Sequence, residues 1–280
     1  MDVKTLADGS VVVIDQDSSD IQKFNERLFL LKSVKGKAPL NLNGSQITTT
    51  LYCGDDTLFI WMLGHNSIGI TNTSTLAFDL IPDFFGPPEI EVTPFGAIAS
   101  LFEHKILGLY MQDAEIKIVL MRNGRNATRK RVSEIIPEGE TILCLESSRD
   151  KDVFFAGGST KFKLKEGKAK LFAIGFDESF ALKSSIVLDG GDSLMGVSCM
   201  KRIKDTDILL LGTNGSLYVV SFATELDRHG KFSVLYAVPD IHSWLLTSID
   251  YLVEREKIEV FTVSRKDQHF SRVTLPNYLN

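Results

Sequence analysis

Cysteine is scarce in this chain. Only Cys53, Cys144 and Cys199 occur in 280 residues. An odd, widely spaced set excludes a disulfide framework and offers no close pair of zinc ligands. Charge of one sign is not in large excess either. Lys and Arg number 31 against 36 Asp and Glu, a formal net charge of −5, whereas a surface given over wholly to nucleic acid is usually basic. Long apolar runs are missing. The longest stretch without Asp, Glu, Lys or Arg, Thr57 to Phe78, carries Gly64, His65, Asn66, Asn72 and several threonines. A bilayer penalises that load, so the stretch reads as two strands and a turn, and no membrane span is expected. The start, Met1-Asp2-Val3-Lys4, has no apolar h-region, which sets the expectation of no secretory signal and a cytoplasmic or nuclear location.

Catalytic signatures are lacking too. No Gly-x-Ser-x-Gly elbow, His-Glu-x-x-His or P-loop occurs. The histidines His65, His104, His229, His242 and His269 sit in no known catalytic motif. Asp15-x-Asp17-x-Ser19 with Glu26 imitates a calcium loop, but Asp20 stands where such loops need glycine, and the segment follows a strand. It reads as a polar turn. No cofactor or metal is implied, and the chain is expected not to be an enzyme. Cys144 and Cys199 read as buried structural thiols.

What is present is β-structure. Val11–Ile14, Leu58–Trp61, Ile116–Val119, Val153–Phe155, Ile208–Leu211 and Leu217–Val220 are short runs rich in β-branched and aromatic residues, mostly bounded by Gly, Asn and Asp. The best helix candidate is Gln22 to Lys32, with a strand over Phe29–Leu31 as its alternative.

The runs recur in a fixed order. Cys144 precedes Asp152, Cys199 precedes Asp207 and Ile249 precedes Lys257 by the same eight positions. Looser units are Ile47–Leu51 with Leu58–Trp61, and Ala97–Leu101 with Ile106–Leu109. First strands near residues 47, 97, 141, 194 and 245 give a period of roughly fifty, that of a four-stranded propeller blade. One such unit alone cannot bury both faces, while a ring of them covers every face.

Two segments carry a family resemblance. Asp205-Thr-Asp-Ile-Leu-Leu-Leu-Gly-Thr-Asn-Gly-Ser-Leu-Tyr-Val-Val220 resembles the second strand, tight turn and third strand of a WD40-type propeller unit. Asp8-Gly-Ser-Val-Val-Val-Ile-Asp15 is similar to that family's third strand and closing Asp. No unit closes with Trp-Asp, and the one Gly-His pair, Gly64-His65, follows a strand, so the resemblance is to an atypical member. The expected fold is all-β: a single propeller over 1–280 of about six or seven four-stranded blades. Residues 1–40 would complete the ring with 245–280, and a pair of β-sandwiches is the alternative.

Function is then read from surface. The leading expectation is a non-catalytic protein–protein interaction scaffold, a subunit of a larger intracellular complex. Phe84, Phe85, Pro87 and Pro88 form a rigid aromatic connection that either tucks both rings into a groove between blades or presents them to a protein partner, and the Tyr236 to Trp244 connection is a second of the same type, with Trp244 its candidate contact. Two basic clusters stand out, Arg122, Arg125, Arg129, Lys130 and Arg131, and Lys161, Lys163 and Lys165 with Lys168 and Lys170. As blade hairpins they would emerge on opposite faces, so they read as solvated turns, with RNA or phosphate contact as an alternative. Lys130-Arg131-Val132-Ser133 also fits a basophilic kinase. An enzyme or small-ligand binder at the central opening is another alternative. It would draw on Asp55, Asp56, Glu103, His104, Asp192 and Asp205.

Overall fold

Alternating patterns with frequent turn residues produce a chain of antiparallel sheets. The computed structural model describes residues 2–6, 10–14, 20–25, 27, 29–34, 47–52, 57–62, 68–81, 93–100, 105–122, 125–150, 152–188, 195–224, 230–253, 257–264 and 270–276. Among them there is no α-helix, only two single 3-10 turns, Val132–Glu134 and Leu164–Glu166. No helix is long and apolar enough to cross a membrane. The chain divides into two compact units, Met1–Lys130 and Arg131–Asn280.

The first unit contains three sheets, each with its strands paired in chain order. The first sheet is β1 (Asp2–Thr5), β2 (Val11–Ile14), β3 (Ile21–Phe24) and β4 (Leu30–Val34). The second is β5 (Ile47–Tyr52), β6 (Thr57–Met62), β7 (Ile68–Asn72) and β8 (Phe78–Ile81). The third is β9 (Thr93–Ser100), β10 (Lys105–Gln112), β11 (Glu115–Arg122) and β12 (Arg125–Arg131), whose last residue opens the second unit.

Two sequence readings are corrected here. Gln22 to Lys32 is not a helix. The Asn25 side-chain oxygen accepts from the Arg27 N–H at 3.0 Å and the Phe29 N–H at 2.9 Å, and the Asn25 N–H donates to the Phe29 carbonyl at 3.0 Å. That side-chain turn reverses the chain between β3 and β4. The strand alternative at Phe29–Leu31 fits better, since β4 begins at Leu30. Val11–Ile14 is the second strand of its sheet, not the third. By contrast, Thr57 to Phe78 does carry the two expected strands, Thr57–Met62 and Ile68–Asn72, and the expected turn between them lies outside the described residues.

The second unit continues the pattern. Its sheets are β13 (Thr141–Ser147), β14 (Val153–Ser159), β15 (Ala169–Gly175) and β16 (Leu182–Val187); β17 (Cys199–Arg202), β18 (Ile208–Gly212), β19 (Leu217–Thr224) and β20 (Gly230–Val238); and β21 (Leu246–Val253), β22 (Lys257–Ser264) and β23 (Phe270–Pro276). The last has three strands among the described residues.

The eight-residue spacing seen in the sequence reappears as register. Cys144 faces Gly157, Cys199 faces Gly212 and Ile249 faces Thr262, each pairing a first strand with a second. The same closing bond recurs as well. The Phe176 N–H donates to the Asp152 carbonyl at 2.7 Å, and the Phe222 N–H to the Asp207 carbonyl at 2.9 Å.

The core of this unit lies between successive sheets. Phe155, Leu171 and Ala173 of one sheet meet Leu209, Leu211, Val220 and Phe222 of the next. Phe155, Phe222 and Phe232 form a ring cluster with centroid separations of 4.8 to 5.9 Å, a spacing that favours tilted aromatic packing. Leu210, Leu217 and Val219 then pack on Leu246, Ile258 and Val260. Polar ties fix the same stacking. The Val197 N–H donates to the Gly158 carbonyl at 2.9 Å, and the Ser198 hydroxyl to the Leu246 carbonyl at 2.6 Å. Asp207 accepts from the Ser148 hydroxyl and the Arg149 N–H at 3.1 and 2.6 Å, joining the segment after β13 to the residue that precedes β18 in the neighbouring sheet.

Candidate interaction face

In the second unit, two connections at the same end of successive sheets carry the surface chemistry. One is the β14–β15 hairpin. Its ladder ends at Ser159 paired with Ala169, and the chain between them folds on itself. The Thr160 N–H donates to the Lys168 carbonyl, and the Lys168 N–H to the Thr160 hydroxyl, both at 2.9 Å. The Glu166 N–H reaches the Lys163 carbonyl at 2.9 Å. The Phe162 N–H reaches the Gly139 carbonyl at 2.7 Å, anchoring the hairpin to the loop before β13. Gly167 leaves room for the Ser159 hydroxyl, which a Cβ there, 2.0 Å away, would displace.

This frame holds its side chains outward. Phe162 is 57% exposed, and Lys161, Lys163, Lys165 and Lys168 are exposed around it. Lys161 lies 4.0 Å from the Glu166 carboxylate. Lys163, Lys165 and Lys168 have no acceptor for their ammonium groups among the described residues. Lys170 is different. It is buried beneath, ion-paired to Glu140 at 2.6 Å and lying over the Phe172 ring.

The other connection is Pro239–Leu245, between β20 and β21. The Ile241 and His242 N–H groups both donate to the Gly215 carbonyl, at 2.7 and 3.2 Å. Gly215 has φ +76°, and a Cβ there would sit 2.1 Å from the His242 carbonyl oxygen, so glycine is needed twice over. The His242 ring is buried, its Nε2 3.1 Å from the Thr262 hydroxyl. That pins the segment and leaves Trp244, two residues on, 38% exposed. β20 approaches the same end, since Val238 pairs with Leu217 beside the Gly215 turn. It is the outermost strand of its sheet, and Val234, Leu235 and Tyr236 on it are exposed, Tyr236 by 46%.

The remaining sequence candidates fall elsewhere. Phe84, Phe85, Pro87 and Pro88 lie outside the described residues, as do Asp55, Asp56, Glu103, His104 and Asp192. Asp205 is an exposed turn residue with φ +60° between β17 and β18. The five basic residues from Arg122 to Arg131 do not gather at one tip. Arg122 ends β11 and Arg125 begins β12, while Arg129, Lys130 and Arg131 run toward the strand's far end. At ~3.3 Å per residue, Arg131 lies about 20 Å from Arg125. Arg129 hydrogen-bonds the buried Tyr110 hydroxyl, and Arg131 pairs with Glu134 at 3.3 Å. The sequence reading missed Phe162, Val234 and Leu235. Val234 and Leu235 sit in a run that looks like core strand and are exposed by the edge of the sheet, while Phe162 lies inside a segment that reads as a lysine-rich turn, where the lysines on either side obscure its ring.

The thiols are not part of this face. Cys144 lies 3.5 Å from the Val197 carbonyl oxygen, and its pKa is raised well above that of a free thiol by burial first and by Cys199 second. Burial pushes Cys199 up to about 12.

No family model matches the chain, and no curated protein sequence does. Solved structures do. The chain is similar to the β-propeller domain of Cps50 (Swd1) from Myceliophteria thermophila, with a TM-score of 0.63, 12% identity, and coverage of 98% of this chain and 85% of that one. The fold is a β-propeller. A streptogramin B lyase matches at TM-score 0.61 and 11% identity over 98% of this propeller and 82% of its own chain. A luciferin-regenerating enzyme matches at 0.59 and 9%, over 95% and 86%. At these identities the likeness speaks for fold. Because the neighbours include enzymes, the propeller by itself does not choose between catalysis and interaction.

Proposed function

We propose that this propeller is a non-catalytic protein-interaction scaffold, a subunit of a larger assembly. The reading takes 1–280 as one domain with the sheets as its blades, in the manner of an atypical WD40-like protein. One observation carries it: Tyr236, Leu235 and Val234 on an outermost strand and Trp244 on the connection that follows it expose large apolar side chains. Water-exposed Trp and Tyr held on a fixed backbone supply contact area at low entropic cost, which is the pattern of an interface hot spot. The hydrogen-bonded docking of Ile241 and His242 on Gly215 provides the fixed backbone.

The test is affinity purification of the tagged protein with quantitative identification of its partners, comparing wild type with Tyr236→Ser/Trp244→Ser. Recovery of specific partners should fall about tenfold or more in the variant while its melting temperature holds. Unchanged recovery would remove this surface from the interaction. A purified partner should co-elute with wild type, and not with the variant, in size-exclusion chromatography.

A further inference from the structure

The β14–β15 hairpin offers a second, chemically distinct surface. Its sequence alternates cation and apolar residue: Lys161-Phe162-Lys163-Leu164-Lys165. In a strand, alternation would send the apolar members into a core. Here the ladder has already ended at Ser159, so Phe162 stays in water with the lysines. The ammonium groups of Lys163, Lys165 and the nearby Lys168 have no acceptor among the described residues. In a chain whose formal net charge is −5, these lysines around an exposed phenyl ring form a local reversal of charge.

We infer that this hairpin binds an acidic polypeptide segment, one that alternates carboxylates with apolar side chains. It extends the scaffold reading to a second contact and uses none of the same residues. The chemistry favours polypeptide over other anions. All the cations are lysines, point charges that suit single carboxylates, with none of the planar forks that grip phosphate in two places. Acids are interleaved: Glu166 lies 4.0 Å from Lys161, and Glu138 is exposed on the loop that anchors the hairpin. A nucleic-acid backbone carries charge at every step and would meet those acids. A peptide can place its carboxylates opposite Lys163, Lys165 and Lys168 and an apolar residue on Phe162. The hairpin's own bonds, from Thr160 to Lys168 and from Phe162 to Gly139, fix it before any partner arrives, so little order is lost on binding.

The experiment uses the full chain and fluorescence anisotropy with three probes: a labelled decapeptide alternating glutamate and leucine, an oligothymidylate of equal charge, and vesicles of phosphatidylcholine with phosphatidylserine. The peptide should bind saturably and more tightly than either of the others. Lys163→Glu/Lys165→Glu should weaken it about tenfold or more, and added salt should weaken it in wild type. Phe162→Ser should weaken it too, leaving a residue more sensitive to salt. Absence of saturable peptide binding, wild-type affinity in the lysine variant, or tighter binding of the oligonucleotide or vesicle would each overturn the inference. Tyr236→Ser/Trp244→Ser should bind the peptide as wild type does. Should peptide binding fail while that variant still loses its partners, the hairpin inference falls and the scaffold reading stands.

Discussion

The Cys199 sulfur occupies the space that a side chain at Gly212 would need. A Cβ at Gly212 would come within 2.4 Å of that sulfur and 2.8 Å of the Leu246 Cβ. The neighbouring sheet repeats the arrangement, where a Cβ at Gly157 would lie 2.7 Å from the Cys144 sulfur and 2.5 Å from a Val197 methyl carbon. A first-strand cysteine opposite a second-strand glycine is thus how two sheets of this unit let the next one approach.

Gly212→Ala should therefore destabilise the protein by about 1–3 kcal/mol through overpacking. Adding Cys199→Ala should recover part of the loss, since Leu246 still crowds the site. Urea denaturation of the two single variants and the double variant reads this coupling. Additive effects would show that the sulfur and the glycine do not share the space.

The thiols should be unreactive while the protein is folded. With Cys199 pushed up to about 12 and Cys144 also raised by burial, the thiolate that attacks an electrophile is rare at neutral pH. In a Cys53→Ser background, maleimide labelling of the native protein should run about a hundredfold or more slower than in denaturant. Comparable rates would mean that the inner strands open readily.

Glu259 should give the protein an acid-sensitive step. Its carboxylate is 2% exposed and accepts from Arg272 and Lys257, each at 2.6 Å, and from the Thr274 hydroxyl at 3.1 Å. The Arg272 hydrogen bond, then that of Lys257, hold its pKa down at about 2, against 4.5 for an ordinary glutamate. A carboxylate depressed in the folded state adds stability above its unfolded pKa, and that stability drains away as pH falls from about 4.5 toward 2. Melting temperature against pH should show this slope in wild type and a shallower one in Glu259→Gln. Parallel curves would deny Glu259 the role.

The architecture was legible because its signals are local and repeated. Strand-forming runs between turn residues, and the spacing from Cys144, Cys199 and Ile249 to the next strand, reappear as pairings with Gly157, Gly212 and Thr262. The misread Gln22 to Lys32 segment hinged on a single side chain, Asn25, whose turn has no signature in hydrophobic periodicity. The interaction face was legible only in part. Lysines announced the β14–β15 hairpin, and Trp244 its companion. Leu235 looks like any buried strand residue until the sheet runs out, a limit not written locally in the chain, and Phe162 was obscured by the lysines on either side of it.

Two of the connections between second and third strands make a natural comparison. One closes with Thr213–Ser216 and the other runs from Thr160 to Lys168, yet the ladders beneath them, Gly212 with Leu217 and Ser159 with Ala169, begin in the same way. Length at this position is thus decoupled from the sheets. Transplanting the 160–168 segment onto Gly212 and Leu217 would move the positive patch to another edge of the same molecule, and would at the same time release the 239–245 connection, whose Ile241 and His242 N–H groups depend on the Gly215 carbonyl.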